Sequence, residues 1–336
     1  METAFISQVK GLLASAKSIV IITHHNPDGD AIGASLALWH YLKKCDHKPE
    51  IVVSSDFPDF YKWMKGADSI KIATKERALC EKLIAEADLI FCLDFNMPDR
   101  IESLTDSLIK AKAKIVLIDH HQAPTDFATL THSQTNTSST SELIFDFISG
   151  MGDESKVDVD IATAIYVGII TDTGSFSYNC DYPNTYAVTS KLFAQNINGE
   201  EIHHRVYNTF SESRLRLLGY CLSQKLTIVP ELATAYISIT KEEMKRFDFS
   251  NGDSEGIVNY GLTIKGVKLA ALFSERTGHI KLSLRSYGNL NVGVIARKHF
   301  DGGGHKNASG ANIYKSLDEA IAEFLKILPL YKEYLA

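Results

Sequence analysis

The sequence predicts an α/β protein, with a doubly wound parallel sheet followed by a second, smaller α/β domain. Three observations predict it. Short apolar runs alternate with amphipathic stretches through the first half of the chain, as they do in a parallel sheet wrapped by helices. Several of those runs are apolar without a break, as strands buried on both faces require. The chain has 336 residues, enough for about two domains of ordinary size.

The elements follow in order. Ile6 to Ala16 carries Ile6, Val9, Leu12 and Leu13 at helical spacing. Ser18 to Ile22 reads as a buried strand. Thr23 to Gly33 reads as a polar turn, rich in Asn, Pro, Asp and Gly, and Ala34 to Leu42 as the helix after it. Pro49 to Ser54 is a second strand and Lys75 to Ala87 an amphipathic helix. Asp88 to Phe95 is a strand with Asp94 near its end, and Arg100 to Ala113 a helix. Lys114 to His121 is a strand closing on Asp119, His120 and His121. The Ser- and Thr-rich segment Thr125 to Thr140 reads as a loop, and Ser141 to Ile148 as a helix. Ile161 to Ile170 is apolar all round, a buried helix or strand running into the turn Thr171-Asp172-Thr173-Gly174.

From Asn184 to Leu226 the pattern is helical, and Glu200 to Gln224 is long enough to bridge two domains. The expected division is a first domain over 1–190, a helical linker over 191–225 and a second domain over 226–336. The second domain opens with alternating strands around 227–229 and 234–238. A helix near 254–262, a hairpin of 267–274 with 279–285, and a helix over 292–300 follow. It then reaches Gly302-Gly303-Gly304-His305-Lys306-Asn307-Ala308-Ser309-Gly310.

Polar residues gather where the first domain's runs end: His24, Asp28 and Asp30, then Asp94, then Asp119, His120 and His121, then Asp172. Strand ends of one parallel sheet point the same way, so these groups converge where open α/β sheets bind ligands. A lone Asp before a helix ordinarily caps it, and a lone His at a strand end is ordinarily structural. Their joint occurrence outweighs those ordinary readings. Converging carboxylates cannot all ionise unaided, and divalent cations resolve the conflict. Mixed His and Asp donors without cysteine suit manganese, magnesium or iron. There are donors enough for two ions and a bridging carboxylate, which suits hydrolysis of a phosphate ester or anhydride. Neither a Gly-x-x-x-x-Gly-Lys-Ser/Thr loop nor a dinucleotide glycine pattern is present. In the second domain, the amides of the Gly302–Gly304 turn can cradle an anion, and Arg285 can reach it as a forked donor.

Composition narrows the setting. The chain is 45% hydrophobic and 23% charged, ordinary for a globular protein. Its net charge of −6 argues against a general duplex-coating role. The stretch before Lys225 carries −9 and the remainder +3, a division that suits cations in one half and a small anion in the other. No apolar run approaches the roughly 20 residues of a membrane helix, and the first residues lack signal-peptide features. The five cysteines are scattered, with no Cys-x-x-Cys pair, which fits a reducing cytoplasm.

These residues resemble the DHH phosphoesterase family across nearly the whole chain. His24-His25-Asn26-Pro27-Asp28-Gly29-Asp30 resembles its first motif and Asp94 its second. Asp119-His120-His121 resembles the signature that names it, and Gly168 with Thr171 to Gly174 resembles the fourth. Gly302 to Gly310 resembles the glycine-rich motif of the DHH-associated C-terminal domain, although Asp301 stands where another glycine is frequent. The resemblance implies a first metal on His24, Asp28 and Asp94, and a second on Asp30, Asp94, His120 and Asp172. Mn2+ is the usual ion, with Mg2+ or Co2+ as alternatives. It implies that His121 contacts the scissile phosphate while Asp119 orients the neighbouring imidazoles. Arg285, Gly303, Gly304 and His305 would bind the substrate's far phosphate or terminal nucleotide, in a cleft between the two domains. His25 occupies a variable position and is left without a role.

Length and domain order are similar to the group of that family that hydrolyses short oligonucleotides and dinucleotides such as pApA, and removes the 3′-phosphate of pAp. A cytoplasmic hydrolase of that kind is the expectation, with no membrane partner; oligomeric state stays open, a homodimer among the options. A cyclic di-AMP phosphodiesterase, a RecJ-like single-strand exonuclease, a family II pyrophosphatase and a catalytically silent nucleotide sensor are the rivals. Every expected ligand is present, which weighs against the last.

Overall fold

Every residue of β1 (Ile19–Thr23) is buried, as a strand covered on both faces must be. In the computed structural model, which describes residues 1–250, 252–304 and 306–335, β1 lies mid-sheet. Its partners are β2 (Pro49–Val53), β3 (Lys71–Ile72), β4 (Leu89–Leu93), β5 (Lys114–Asp119) and β6 (Leu130–Ser133). The order is β3-β2-β1-β4-β5-β6, and all pairs are parallel. The chain builds outward from β1 through β2 and β3, then returns to lay β4 on the other side of β1. That reversal is the topological switch point at which doubly wound sheets open a crevice. Register brings polar residues to its edge. Thr23 pairs with Leu93 and Leu93 with Ile118, so the next residues, His24, Asp94 and Asp119, line up across three strands.

The two-residue period sorts the strands' side chains onto two cores. Ile19, Ile21, Phe91, Leu93, Val116 and Ile118 face one core. It is shared with α1 (Thr3–Ser15), α2 (Gly29–Lys44), α5 (Thr140–Gly150) and α6 (Val159–Asp172). Val20, Ile22, Ile90, Cys92 and Leu117 face the other, against α3 (Ala73–Glu86) and α4 (Thr105–Lys110). α7 (Pro183–Phe193) and α8 (Gly199–Tyr207) add Val188, Leu192, Ile202 and Val206 to the first core.

The structure settles or departs from the sequence reading at several points, the helix expected near 254–262 forming only over Asn259–Leu262 among them. The segment expected as a loop over Thr125 to Thr140 contains β6, a half-exposed edge strand. An edge needs one paired side and little apolar surface, so its Ser- and Thr-rich sequence hides it. The helix expected over Arg100 to Ala113 is a 3-10 turn over Pro98–Leu104, broken at Glu102 (φ 45°), and then α4. Ile161 to Ile170 resolves as helix, so Asp172 ends α6 and not a strand. The bridging helix expected over Glu200 to Gln224 is interrupted after Tyr207. Ser211 then starts α9 (Glu212–Tyr220) by accepting a hydrogen bond from the Arg214 N–H. A new cap costs little where no core face demands continuity.

The chain forms two compact units, Met1–Thr209 and Phe210–Ala336. The second holds a mixed sheet of β7 (Leu226–Val229), β8 (Thr234–Ile239), β9 (Leu269–Arg276), β10 (His279–Ser286), β11 (Gly303–Gly304) and β12 (Ala308–Ile313), ordered β11-β12-β10-β9-β8-β7. One face packs Phe273, Leu282 and Leu284 on α12 (Val292–Phe300) and α13 (Leu317–Ile327). The other packs Ile237, Ala270 and Leu272 against Leu217, Met244, Ile257 and Val258. The hairpin of β9 with β10 turns at Thr277-Gly278, and Gly278 takes φ 85°. Among the described residues no helix is long and apolar enough to cross a membrane.

Candidate active site

His24 follows β1 and is 6% exposed. Its Nδ1 lies 2.8 Å from the His25 carbonyl oxygen. A carbonyl can only accept, so Nδ1 carries the hydrogen and Nε2 is left to face Asp28 Oδ2 at 3.8 Å and Asp94 Oδ2 at 3.5 Å. Asp28 has two duties. Its Oδ1 caps α2 by accepting from the N–H groups of Asp30 and Ala31, which leaves Oδ2 for the cluster. Asp94 adopts φ 63°, a conformation that Asp tolerates better than most residues and that turns the chain sharply at the strand end. Its Oδ1 lies 3.4 Å from His120 Nε2. His120 Nε2 also faces Asp30 Oδ2 at 3.7 Å and Asp172 Oδ2 at 3.3 Å. Next to it, His121 Nδ1 donates to Asp119 Oδ1 at 2.7 Å, which fixes that ring's tautomer and orientation.

Three overlapping groups result: His24, Asp28 and Asp94; Asp30, His120 and Asp172; and Asp94, His120 and His121. Within each, one ligand atom per residue lies within 4.8 Å of the others. Donors around a small divalent ion stand about 3 Å apart, so separations of 3.3–3.8 Å fit a cation with slight tightening. They are too long for good hydrogen bonds. The buried Asp119 Oδ2 and Thr23 Oγ1 have no hydrogen-bond partner among the described residues. The donor set is all nitrogen and oxygen, the chemistry of Mn2+ or Mg2+.

Electrostatics agree. Burial opposes charge on His24, but the Asp28 and Asp94 carboxylates outweigh it and raise the ring to about 10. His120 is likewise held well above its usual range: burial opposes, and Asp172, Asp94 and Asp30 prevail. Burial and the charges of Asp94 and Asp172 push Asp30 well up. Burial raises Asp172 to about 6 despite His120, with Asp28 and Asp94 adding to the rise. Burial also opposes Asp94, yet His120 and His24 hold it well below the carboxylate range. This is an excess of negative charge that only protons or cations can neutralise.

Sequence reasoning missed the residues behind this cluster. Thr137 to Glu142 is buried throughout. The N–H groups of Thr140 and Ser141 donate to the two oxygens of Asp30, at 2.7 and 2.8 Å, and the Thr140 hydroxyl donates to Asp94 Oδ1 at 2.9 Å. The Glu142 carboxylate accepts from Ser138 N and Oγ, Thr185 Oγ1 and Asn184 Nδ2. A signal existed: Ser139 and Glu142 stand at capping-box spacing before an apolar run.

In the second unit, Arg285 of β10 pairs in register with Ala308 and Ala270. Its Nη1 donates to the Leu284 carbonyl at 3.0 Å, and its buried Nε has no hydrogen-bond partner among the described residues. Gly303 pairs with Gly310, and a Cβ on Gly303 would meet nothing within 4 Å, so a ligand can approach that backbone. Gly304 takes φ 135°, which few side chains permit. Asp301, the departure from a glycine run, closes α12 at φ 52°, where glycine is the usual residue. His305 lies outside the described residues.

Fold and site together define a doubly wound α/β protein with a cluster of carboxylates and imidazoles able to hold metal at its switch point. The chain belongs to the DHH family: residues 18–169 match the model "DHH family, N-terminal domain", and residues 231–331 match the "DHHA1 domain". It is 28% identical to the bifunctional oligoribonuclease and PAP phosphatase NrnA of Bacillus subtilis, over 94% of this chain and 96% of that one. It is 29% identical to the NrnA of Thermus thermophilus, over 89% and 85%. A crystal structure of an exopolyphosphatase-related protein from Bacteroides fragilis superposes with a TM-score of 0.93 at 43% identity, covering 99% of this chain and 98% of that one.

Proposed function

We propose that the protein is a two-metal phosphoesterase that hydrolyses short oligonucleotides and dinucleotides such as pApA to mononucleotides and removes the 3′-phosphate of pAp. One observation carries the two-metal part. Asp94 presents its oxygens to opposite imidazoles, Oδ2 to His24 at 3.5 Å and Oδ1 to His120 at 3.4 Å, an arrangement that would suit a carboxylate shared between two ions. His24, Asp28 and Asp94 would hold one ion, and Asp30, Asp94, His120 and Asp172 the other. Mn2+ is the favoured ion. When bound, such ions supply Lewis acidity that activates water and offsets charge at phosphorus. The substrate class is supported by the NrnA relatives, which match along nearly their whole lengths.

The chain's own residues divide the remaining work. Asp119 fixes the His121 ring, whose other nitrogen is then set to contact the scissile phosphate. Arg285, Gly303, Gly304 and His305 bind the distal phosphate or terminal nucleotide. A forked guanidinium with a spare N–H suits that role. Recognition of both ends favours short substrates, because a long strand wants an open basic channel with stacking aromatics. The five free thiols are in keeping with a cytoplasmic enzyme.

The test is hydrolysis with Mn2+ of dinucleotides, longer RNA single strands, pAp, pApA, cyclic di-AMP and pyrophosphate, side by side. Fast release of mononucleotides from the shortest RNAs, with pAp also cleaved, is the expected result. Processive action on long strands would move the protein toward the RecJ-like nucleases, and a preference for cyclic di-AMP toward a signalling phosphodiesterase. No metal-dependent turnover of any of them would sink the reading.

A further inference from the structure

We propose that Thr140 is a positioning residue that sets the orientation of the Asp94 carboxylate, and thereby governs how the groups that share Asp94 take up divalent cations. The inference rests on the metal reading above. The Thr140 side chain is fully buried, and its hydroxyl donates to Asp94 Oδ1 at 2.9 Å. The imidazoles of His120, His24 and His121 stand at 3.4, 3.5 and 3.6 Å. A carboxylate with one firm hydrogen bond cannot swivel freely about its last torsion. With Oδ1 so held, Oδ2 stays aimed at His24.

Helix capping does not account for this hydroxyl. The cap of α5 is Ser139, whose Oγ accepts from the Glu142 N–H. The start of α5 is itself pinned, because the Glu142 carboxylate ties Ser138 to Thr185 and Asn184 at the start of α7. The hydroxyl is therefore delivered to Asp94 from a fixed base. Asp30 is held differently, by the backbone N–H groups of Thr140 and Ser141, which Val, Ala or Ser at 140 would keep. The two carboxylates thus respond differently to one substitution.

The experiment titrates metal-free protein with Mn2+ by calorimetry, in the wild type, Thr140→Val and Thr140→Ser, with far-ultraviolet dichroism to confirm folding. Thr140→Val keeps shape and loses the hydroxyl. It should weaken Mn2+ uptake by about 10- to 100-fold, the usual effect of removing a residue that orients a ligand, at both of the groups that share Asp94. Thr140→Ser keeps the hydroxyl and should restore uptake. On dinucleotides, kcat should fall in Thr140→Val more than KM rises. If Thr140→Val fails to fold, Thr140→Ala makes the same comparison. Wild-type Mn2+ affinity in a folded Val or Ala variant, or equal weakening in Thr140→Ser, would overturn the inference alone. A wild-type protein that binds no Mn2+ would overturn the metal reading, and this inference with it.

Discussion

Asp94 is the residue on which the cluster turns. It is 2% exposed, sits at φ 63°, and belongs to two of the three metal-capable groups that reach His24 and His120. Asp94→Ala should therefore lower Mn2+ content and cut turnover by about a thousandfold or more, given the several kcal/mol that a metal supplies at phosphorus. Near-normal turnover in that variant would remove the shared-carboxylate assignment. Arg285 makes the contrasting case. Loss of a charged hydrogen-bond donor costs about 1.5–3 kcal/mol, so Arg285→Ala should raise KM for dinucleotides about 10- to 100-fold while Mn2+ content stays at the wild-type level. Unchanged kinetics would make Arg285 an ordinary side chain of the β10 ladder. Asp28 shows why residue type alone misleads: one oxygen caps α2 while the other faces His24.

At the scale of elements, the site depends on how closely α2, α5 and α6 approach. Gly168 of α6 is where they meet. A Cβ there would overlap Ser141 Oγ and stand 2.7 Å from Asp30 Oδ1. Neither neighbour can retreat, since Ser141 N is bonded to the same Asp30 oxygen. Gly168→Ala should cost about 1–3 kcal/mol through overpacking, read as a lowered urea midpoint. It should also weaken Mn2+ uptake, because Asp30 has to shift. An unaltered midpoint would show that α6 can slide away from α5. The same packing explains Asp172. No strand carries it, and the end of a helix that passes α2 delivers it to His120.

For the molecule as a whole, the cluster couples stability to protons and metal. In metal-free protein His24 is raised from 6.5 to about 10. The folded state then holds that proton more tightly than the unfolded chain. Its contribution is fully present below about pH 6.5 and is lost as pH rises through about 10. Asp172 is raised from 3.8 to about 6, so it too withdraws stability with rising pH, between about 4 and 6. Thermal melts of metal-free protein should accordingly show a falling Tm from pH 6.5 to 10. Saturating Mn2+ should remove the fall, because cations compete with protons for the same donors and bind better as pH rises. A Tm that climbs with pH in the metal-free protein would contradict the charge arrangement described above.

Much of this was legible in one dimension. Apolar runs, turn residues and the donors His24, Asp28, Asp30, Asp94, His120 and Asp172 are local features, because side-chain period and turn chemistry act over a few residues. Their appearance at successive element ends was enough to predict convergence on a parallel sheet. The edge strand β6 and the breaks at Glu102 and after Tyr207 were not legible, since no local pattern distinguishes them from loop or continuous helix. Strand order and register, which set His24, Asp94 and Asp119 side by side, were decided only in three dimensions. So was the bond from Thr140 to Asp94, which spans 46 residues of chain. The sequence by itself determined which groups are present and at which turns they stand. Tertiary structure decided which oxygen faces which imidazole, because that depends on the packing of elements remote in the chain, where ångström differences separate a ligand from a bystander.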